Sequence, residues 1–397
     1  MRYPQTFFLI LIGLLMACSS PAEVPVPNAE AEQAEQSSPT PQPAVAEVEA
    51  EAEVEEDIEP EAVMDQLAKE YAYFKFSTVE VPDPIDFNDW PQSEPEDQGI
   101  DSAQLDKLGP HIEEQYGHIH SFVVMRNGVL VYEYYKDGRS KYSADILWSV
   151  TKSITSLLIG IAADDGLLEL DQSLGELLPP EQLAESDPDL ADITIHDLLT
   201  MTSGVACPGD RCHDASVPTM LGKDLNYETG ERFLYDTGAS HLLSAVIDQV
   251  TDMQIHEYAA EELFVPLGIE PPPWQIDTNG VPFGGKGLAM RPRDMARIGQ
   301  LILNDGVWEG EQLVPADYLN TATQNQVADI HDEAYGYLFW IDEESAQRRV
   351  SAVGYGGQYI TVIPEYDLVV VTTSDFSLAK YGQIELVEPF VIQAITE

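Results

Sequence analysis

The chain has 397 residues, 44% of them hydrophobic, enough for one large folded domain with a buried core or for two smaller ones. Its 70 acidic and 19 basic residues give a formal net charge of −51, which argues against nucleic acid as a partner because phosphate would be repelled. Its three cysteines and eight histidines show no ligand-like spacing, so neither a metal nor an organic cofactor is expected.

Met1-Arg2 followed by the apolar run 7–18 has the layout of an export signal, too short to span a bilayer as a mature helix. The run ends in Leu15-Met16-Ala17-Cys18-Ser19, which resembles the lipobox of bacterial lipoproteins, so residues 1–17 are expected to be a signal peptide and Cys18 a lipid anchor. The chain is then exported and tied to a bacterial membrane, on the periplasmic or cell-surface side. Residues 18–65 carry 14 acidic residues, no Lys or Arg and no aromatic side chain. Such a segment buries too little apolar surface to offset its ordering entropy, which predicts an acidic Pro/Ala/Glu-rich tether over 18–75. A folded domain is expected over 76–397; even without residues 1–65 the chain keeps 56 acidic against 18 basic residues, about −38.

Within that domain the pattern predicts a helix over 102–115, then strands over 121–125 and 129–135 joined by Arg126-Asn127-Gly128, where Asn-Gly is a hairpin signal. Next comes Trp148-Ser149-Val150-Thr151-Lys152 at the head of an apolar helical run. A serine and a lysine three residues apart share one helix face, so Lys152 can reach the Ser149 hydroxyl and activate it as a nucleophile. A long, mainly helical middle follows, in which Thr194 and Asp197 have capping-box spacing. Cys207 and Cys212 flank a turn-rich loop and are expected to pair as a disulfide in an oxidising compartment. The loop 205–219 is a candidate wall of a substrate cleft, with Asp210 and His213 as candidate contacts. Strands are expected over 337–341, 358–363 and 368–373, and a short apolar helix over 387–395. A hairpin, a helical centre and closing strands give an α/β (α+β) fold: one sheet built from both ends, with an inserted helical subdomain.

The stretch from about residue 85 onward resembles the serine β-lactamase and penicillin-binding-protein superfamily, in the branch that includes esterases and 6-aminohexanoate-oligomer hydrolases. The residues that carry the resemblance are Ser149-Val150-Thr151-Lys152-Ser153, Leu198-Leu199-Thr200-Met201-Thr202-Ser203-Gly204, Phe233-Leu234-Tyr235-Asp236-Thr237, the run 285–297, and Gly354-Tyr355-Gly356-Gly357-Gln358. The resemblance implies a β-lactamase/transpeptidase-like fold with an antiparallel sheet flanked by helices. It also implies Ser149 as nucleophile, Lys152 and Tyr235 as its acid-base partners, and the N–H groups of Ser149 and Tyr355 as an oxyanion hole. Gly354, Gly356, Gly357 and Thr237 fall at oxyanion or substrate-binding positions. An unperturbed tyrosine, near pKa ~10, needs an adjacent cation to act as a base, and Lys152 would supply it.

Two departures narrow this. Where penicillin-directed relatives carry Lys-Thr or His-Thr before the glycine, this chain has Ala352-Val353, and where they carry asparagine it has Thr237. The expected function is an extracytoplasmic serine hydrolase acting on a small ester or amide. The alternatives are a D,D-peptidase or β-lactamase, which penicillin labelling would favour, and a catalytically silent envelope-binding protein, against which the complete Ser149-Lys152-Tyr235 set argues.

Overall fold

The apolar runs at the two ends of the domain meet in one seven-stranded antiparallel sheet. The computed structural model describes residues 60–71, 73–80, 90–184, 186–207, 212–327, 334–343 and 345–396. Its strands are β1 (Ile119–Arg126), β2 (Val129–Tyr135), β3 (Ala334–Tyr335), β4 (Trp340–Asp342), β5 (Arg349–Gly354), β6 (Gln358–Ile363) and β7 (Leu368–Ser374), side by side in the order β2-β1-β7-β6-β5-β4-β3. The β1–β2 hairpin turns at Asn127 (φ 54°) and Gly128 (φ 77°), the two left-handed positions that a tight primed turn requires. The two ends of the domain are joined at β1 and β7, where Val123 pairs with Val371.

Side chains alternate across this sheet and so build two cores. Val123, Met125, Val369 and Val371 enter one; Phe122, Val124, Leu368 and Val370 enter the other. The first core holds the helices α2 (Val150–Asp164), α3 (Thr237–Thr251) and α4 (Pro292–Leu303), together with the helical middle of the chain. The second is covered by Leu105, Leu108 and Ile112 from one end and by Leu386, Val387 and Val391 from the other. The helix expected over 387–395 is instead a π-turn, Val387–Val391, followed by a 3-10 turn, Ile392–Ala394. Pro389 has no N–H to give to an α-helical ladder, which accounts for the change. In the middle region the Thr194 hydroxyl accepts from Asp197 N at 3.1 Å and the Asp197 carboxylate accepts from Thr194 N at 3.0 Å, closing the capping box.

Part of the segment expected to be a tether over 18–75 is folded. Residues 60–70 form helix α1 (Pro60–Glu70), whose Val63 and Leu67, with Tyr71 beyond its end, are buried against Ala144, Ile146 and Ala289. Spacing of four residues puts these side chains on one face, and that apolar face is what removes the segment from solvent. Cys18, the signal-like run and residues 18–59 lie outside the described residues. Among the described residues no helix is long and apolar enough to cross a membrane.

Candidate active site

The first turn of α2 sets the site. Residues 150–162 of this helix are all buried, so the chain must bring Lys152 into the core together with its apolar neighbours. A buried ammonium is costly unless hydrogen bonded. Lys152, 1% exposed, donates to Ser149 Oγ at 3.1 Å, to Thr237 Oγ1 at 2.8 Å and to the Gly285 carbonyl at 2.8 Å. Three N–H donors thus meet three acceptors. Immediately before Ser149, Trp148 sits at φ 50°, a left-handed conformation that costs a bulky residue on the order of 1–3 kcal/mol.

The second element is α3. Asp236 caps it, its carboxylate accepting from Gly238 N at 2.8 Å, and so holds Tyr235 and Thr237 at the helix entrance. Tyr235 is buried, with Lys152 Nζ 4.8 Å from its ring centroid. The same ring lies nearly parallel to that of Trp340 on β4, centroids 6.0 Å apart and planes 24° apart. Trp340 is in turn held edge-on by Tyr335 and Phe233.

The third element is the loop Gly284-Gly285-Lys286-Gly287. It presses on α3 so closely that a Cβ at Gly285 would lie 2.6 Å from the Thr237 carbonyl. Gly284 N donates to His241 Nδ1 at 3.2 Å, which makes Nδ1 the acceptor and leaves Nε2–H to donate to Asp277 at 3.4 Å. Burial holds the His241 pKa below the ordinary histidine value, consistent with this neutral tautomer, although Asp277 opposes the shift. Burial works against the Asp277 carboxylate, but hydrogen bonds from His241 and from the N–H groups of Val281 and Asn279 outweigh it and hold its pKa at about 2. Lys286 pairs with Asp214, which also meets His213 at 3.1 Å. The expected disulfide is formed: Cys207 and Cys212, with Cα atoms 5.8 Å apart, close the loop that leads into Asp214. His213 therefore faces Asp214, while Asp210 lies outside the described residues.

The fourth element is the glycine cluster, expected at the start of a strand and found as the hairpin between β5 and β6. Gly354 ends β5 with its backbone against Leu147: a Cβ there would fall 2.1 Å from the Leu147 carbonyl. Only glycine allows this approach, which sets Tyr355 beside the Trp148-Ser149 backbone, with the Tyr355 and Trp148 ring centroids 5.5 Å apart. Gly356 lies instead under Phe376 and Gly357 under Gln383, where both shape the turn at positive φ. Thr237, expected at a substrate-binding position, accepts from Lys152. Ala352 and Val353 are buried apolar residues of β5.

Sequence reasoning did not single out Gly285 as an acceptor for Lys152, nor Trp340, nor the rings around Trp148. Each depends on a contact between distant segments. A signal existed only for the Gly285 loop, which lies in one of the motifs quoted. Among the described residues no group of three or more His, Cys, Asp and Glu side chains is placed to hold a metal ion.

The chain is similar to known proteins in sequence and in fold. The family model described as Beta-lactamase matches residues 112–378. The chain is 24% identical over 289 residues to the 6-aminohexanoate-dimer hydrolase of Paenarthrobacter ureafaciens, covering 64% of this chain and 72% of that protein. Among solved structures, a Bacillus anthracis protein provisionally assigned as a 6-aminohexanoate-dimer hydrolase shares the fold with a TM-score of 0.69 at 19% identity, over 84% of this chain and 94% of that one. The penicillin-binding protein from Bacillus halodurans gives a TM-score of 0.55 at 18% identity, over 67% and 94%. EstCE1, a hydrolase with promiscuous acyltransferase activity, gives 0.57 at 16%, over 69% and 93%.

Proposed function

The chain belongs to the Beta-lactamase family, and from that premise we propose that it is a serine hydrolase that cleaves a small ester or amide through an acyl-enzyme on Ser149. The observation that carries this reading is the position of Lys152, whose Nζ approaches Ser149 Oγ at 3.1 Å while Thr237 Oγ1 and the Gly285 carbonyl accept its other hydrogen bonds. An ammonium with all donors engaged is a fixed charge that holds the serine oxygen and favours negative charge on Tyr235. Ser149 Oγ attacks the carbonyl carbon and its proton passes to Tyr235. The N–H groups of Ser149 and Tyr355 receive the oxyanion, and Tyr235 returns the proton to the departing oxygen or nitrogen. Water then hydrolyses the ester on Ser149 and regenerates the hydroxyl.

The buried apolar pair Ala352-Val353 favours ester or amide substrates over penicillins or D,D-peptides, because the strand offers no cation to a substrate carboxylate there. The 6-aminohexanoate-dimer hydrolase similarity supports the same choice. The lipobox-like Cys18 and the Cys207–Cys212 disulfide support an exported, lipid-anchored enzyme on the periplasmic or cell-surface side. Treating the protein with a fluorophosphonate probe and mapping the adduct tests the reading. Labelling at Ser149, absent in Ser149→Ala, is expected; a folded protein with no adduct at Ser149 overturns it. Parallel treatment with labelled penicillin is expected to leave Ser149 free, and stoichiometric acylation would favour the D,D-peptidase or β-lactamase alternative.

A further inference from the structure

Outside the residues matched by the family, the segment that follows α1 runs to the edge of the site. It is fixed at both ends. Gln66 Nε2 donates to the Ala144 carbonyl at 2.9 Å, Glu70 pairs with Arg139 at 2.9 Å, and the Tyr71 hydroxyl donates to Asp145 at 3.3 Å. Asp145 is buried and is held from the other side by His120 Nδ1 at 2.9 Å. At the far end Phe76 and Ser77 pair with Gln275 and Trp274 as a short antiparallel ladder. Between these anchors Phe74 meets the Trp148 ring edge-on at 6.2 Å.

Trp148 also meets Phe376 at 5.0 Å and Tyr355 at 5.5 Å, both edge-on. Phe74, Trp148, Phe376 and Tyr355 are each only partly buried, so the rings form an apolar surface open to solvent on one side. Three rings from three separate segments, Phe74, Phe376 and Tyr355, thus meet on Trp148, the residue before the proposed nucleophile, and one of them, Tyr355, is the residue proposed as oxyanion donor. Trp148 reaches this position at a backbone cost, its φ of 50°. Strain at such a position persists when the surrounding structure holds the residue in a required orientation.

The geometry points to Phe74 as a specificity-determining residue: with Trp148, Phe376 and Tyr355 it walls a site for an apolar acyl group larger than acetyl. This rests on the acyl-enzyme reading above. In that reading the leaving group takes its proton from Tyr235, which packs with Trp340 and Lys152, whereas the ring cluster adjoins Trp148 and Tyr355. The group that stays on Ser149 therefore lies on the Trp148 side. Partly exposed rings carried on anchored backbone give apolar contact at low cost in side-chain entropy.

The test compares wild type, Phe74→Ala and Phe74→Leu on p-nitrophenyl acetate, butyrate and hexanoate, after titration of reactive Ser149 with the fluorophosphonate. The expected result is a fall of about tenfold in the hexanoate-to-acetate ratio of kcat/KM for Phe74→Ala, with Phe74→Leu in between. A general loss of stability lowers all three esters together and leaves that ratio unchanged. A ratio within twofold of wild type in both variants, with Ser149 labelled normally, overturns the inference while the acyl-enzyme reading stands. A wild-type protein whose Ser149 is neither labelled nor turns over any ester overturns both.

Discussion

Lys152 lies closer to Thr237 than to Ser149: its Nζ is 2.8 Å from the threonine hydroxyl and 3.1 Å from the serine. The hydroxyl of Thr237 is thus a fixed acceptor for the buried ammonium, and it occupies a position where a substrate contact was expected. Replacing Thr237 by Val removes a hydrogen bond to a charged group, worth about 1.5–3 kcal/mol. Thr237→Val is expected to lower the rate of Ser149 acylation by about 10- to 100-fold, and Thr237→Ser to retain it within a few-fold. Stopped-flow ester hydrolysis measures both.

The approach of Gly354 to Leu147 gives a second expectation. A methyl group there would lie 2.1 Å from the Leu147 carbonyl, so the end of β5 must retreat and take the Tyr355 N–H with it. Loss of one oxyanion donor costs about 10²–10³ in kcat. Gly354→Ala is expected to show that loss mainly in kcat, with KM changed less, while far-ultraviolet circular dichroism stays native. Full activity in Gly354→Ala would remove Tyr355 from the oxyanion role.

The Lys286–Asp214 pair connects the 205–219 loop, itself closed by the Cys207–Cys212 disulfide, to the loop that holds Lys152. Opening so short a ring by Cys207→Ser with Cys212→Ser is expected to cost about 2 kcal/mol, read as a lower urea midpoint. Lys286→Met leaves the chain crosslinked but frees Asp214 from the Gly284-Gly287 loop. Ester turnover is expected to fall in Lys286→Met by more than the urea midpoint accounts for, because Gly285 supplies one of the three Lys152 acceptors.

His118 gives a pH dependence. Burial is the main cause that pushes its pKa down to about 4; Lys380 and Lys136 add to the shift, and Asp375 opposes it. Neither ring nitrogen has a hydrogen-bond partner among the described residues. The fold therefore holds this imidazole neutral, whereas the unfolded chain protonates it near the ordinary value of about 6.5. The stability it allows is present above that value and is lost as pH falls from about 6.5 toward 4. Urea midpoints at pH 7 and pH 5 are expected to differ less in His118→Phe than in wild type. An equal difference in the two proteins would show that other groups set the acid sensitivity.

Local spacing made much of this legible. Ser149 and Lys152 were readable because three residues on a helix bring two side chains together. Asn127-Gly128 and the Thr194–Asp197 box were readable because their partners are neighbours in sequence. One sheet built from both ends followed from the β-branched and apolar runs 121–125 and 368–373 on either side of a helical centre. What stayed hidden depends on approach between distant segments: the Gly285 carbonyl reaches Lys152 across 133 residues, and Trp340 meets Tyr235 from another strand. Helix α1 was obscured for a different reason. Its Ala- and Glu-rich composition continues that of the preceding segment, although Val63, Leu67 and Tyr71 at four-residue spacing already carried the signal of an apolar face. Leu67, fully buried, is the natural check: Leu67→Ala is expected to cost about 2–5 kcal/mol in urea unfolding.

The pairing of β1 with β7 also bears on when the protein can be active. Ser121 and Thr373 share a hydrogen bond at 2.8 Å across 252 residues, so the sheet that supports α2 is closed by β7, the last of the described strands to be synthesised. Until that strand arrives, Val123 has no Val371 to pair with and the core that holds α2 is incomplete. A nascent chain would carry Ser149 and Lys152 before the sheet that positions them is complete.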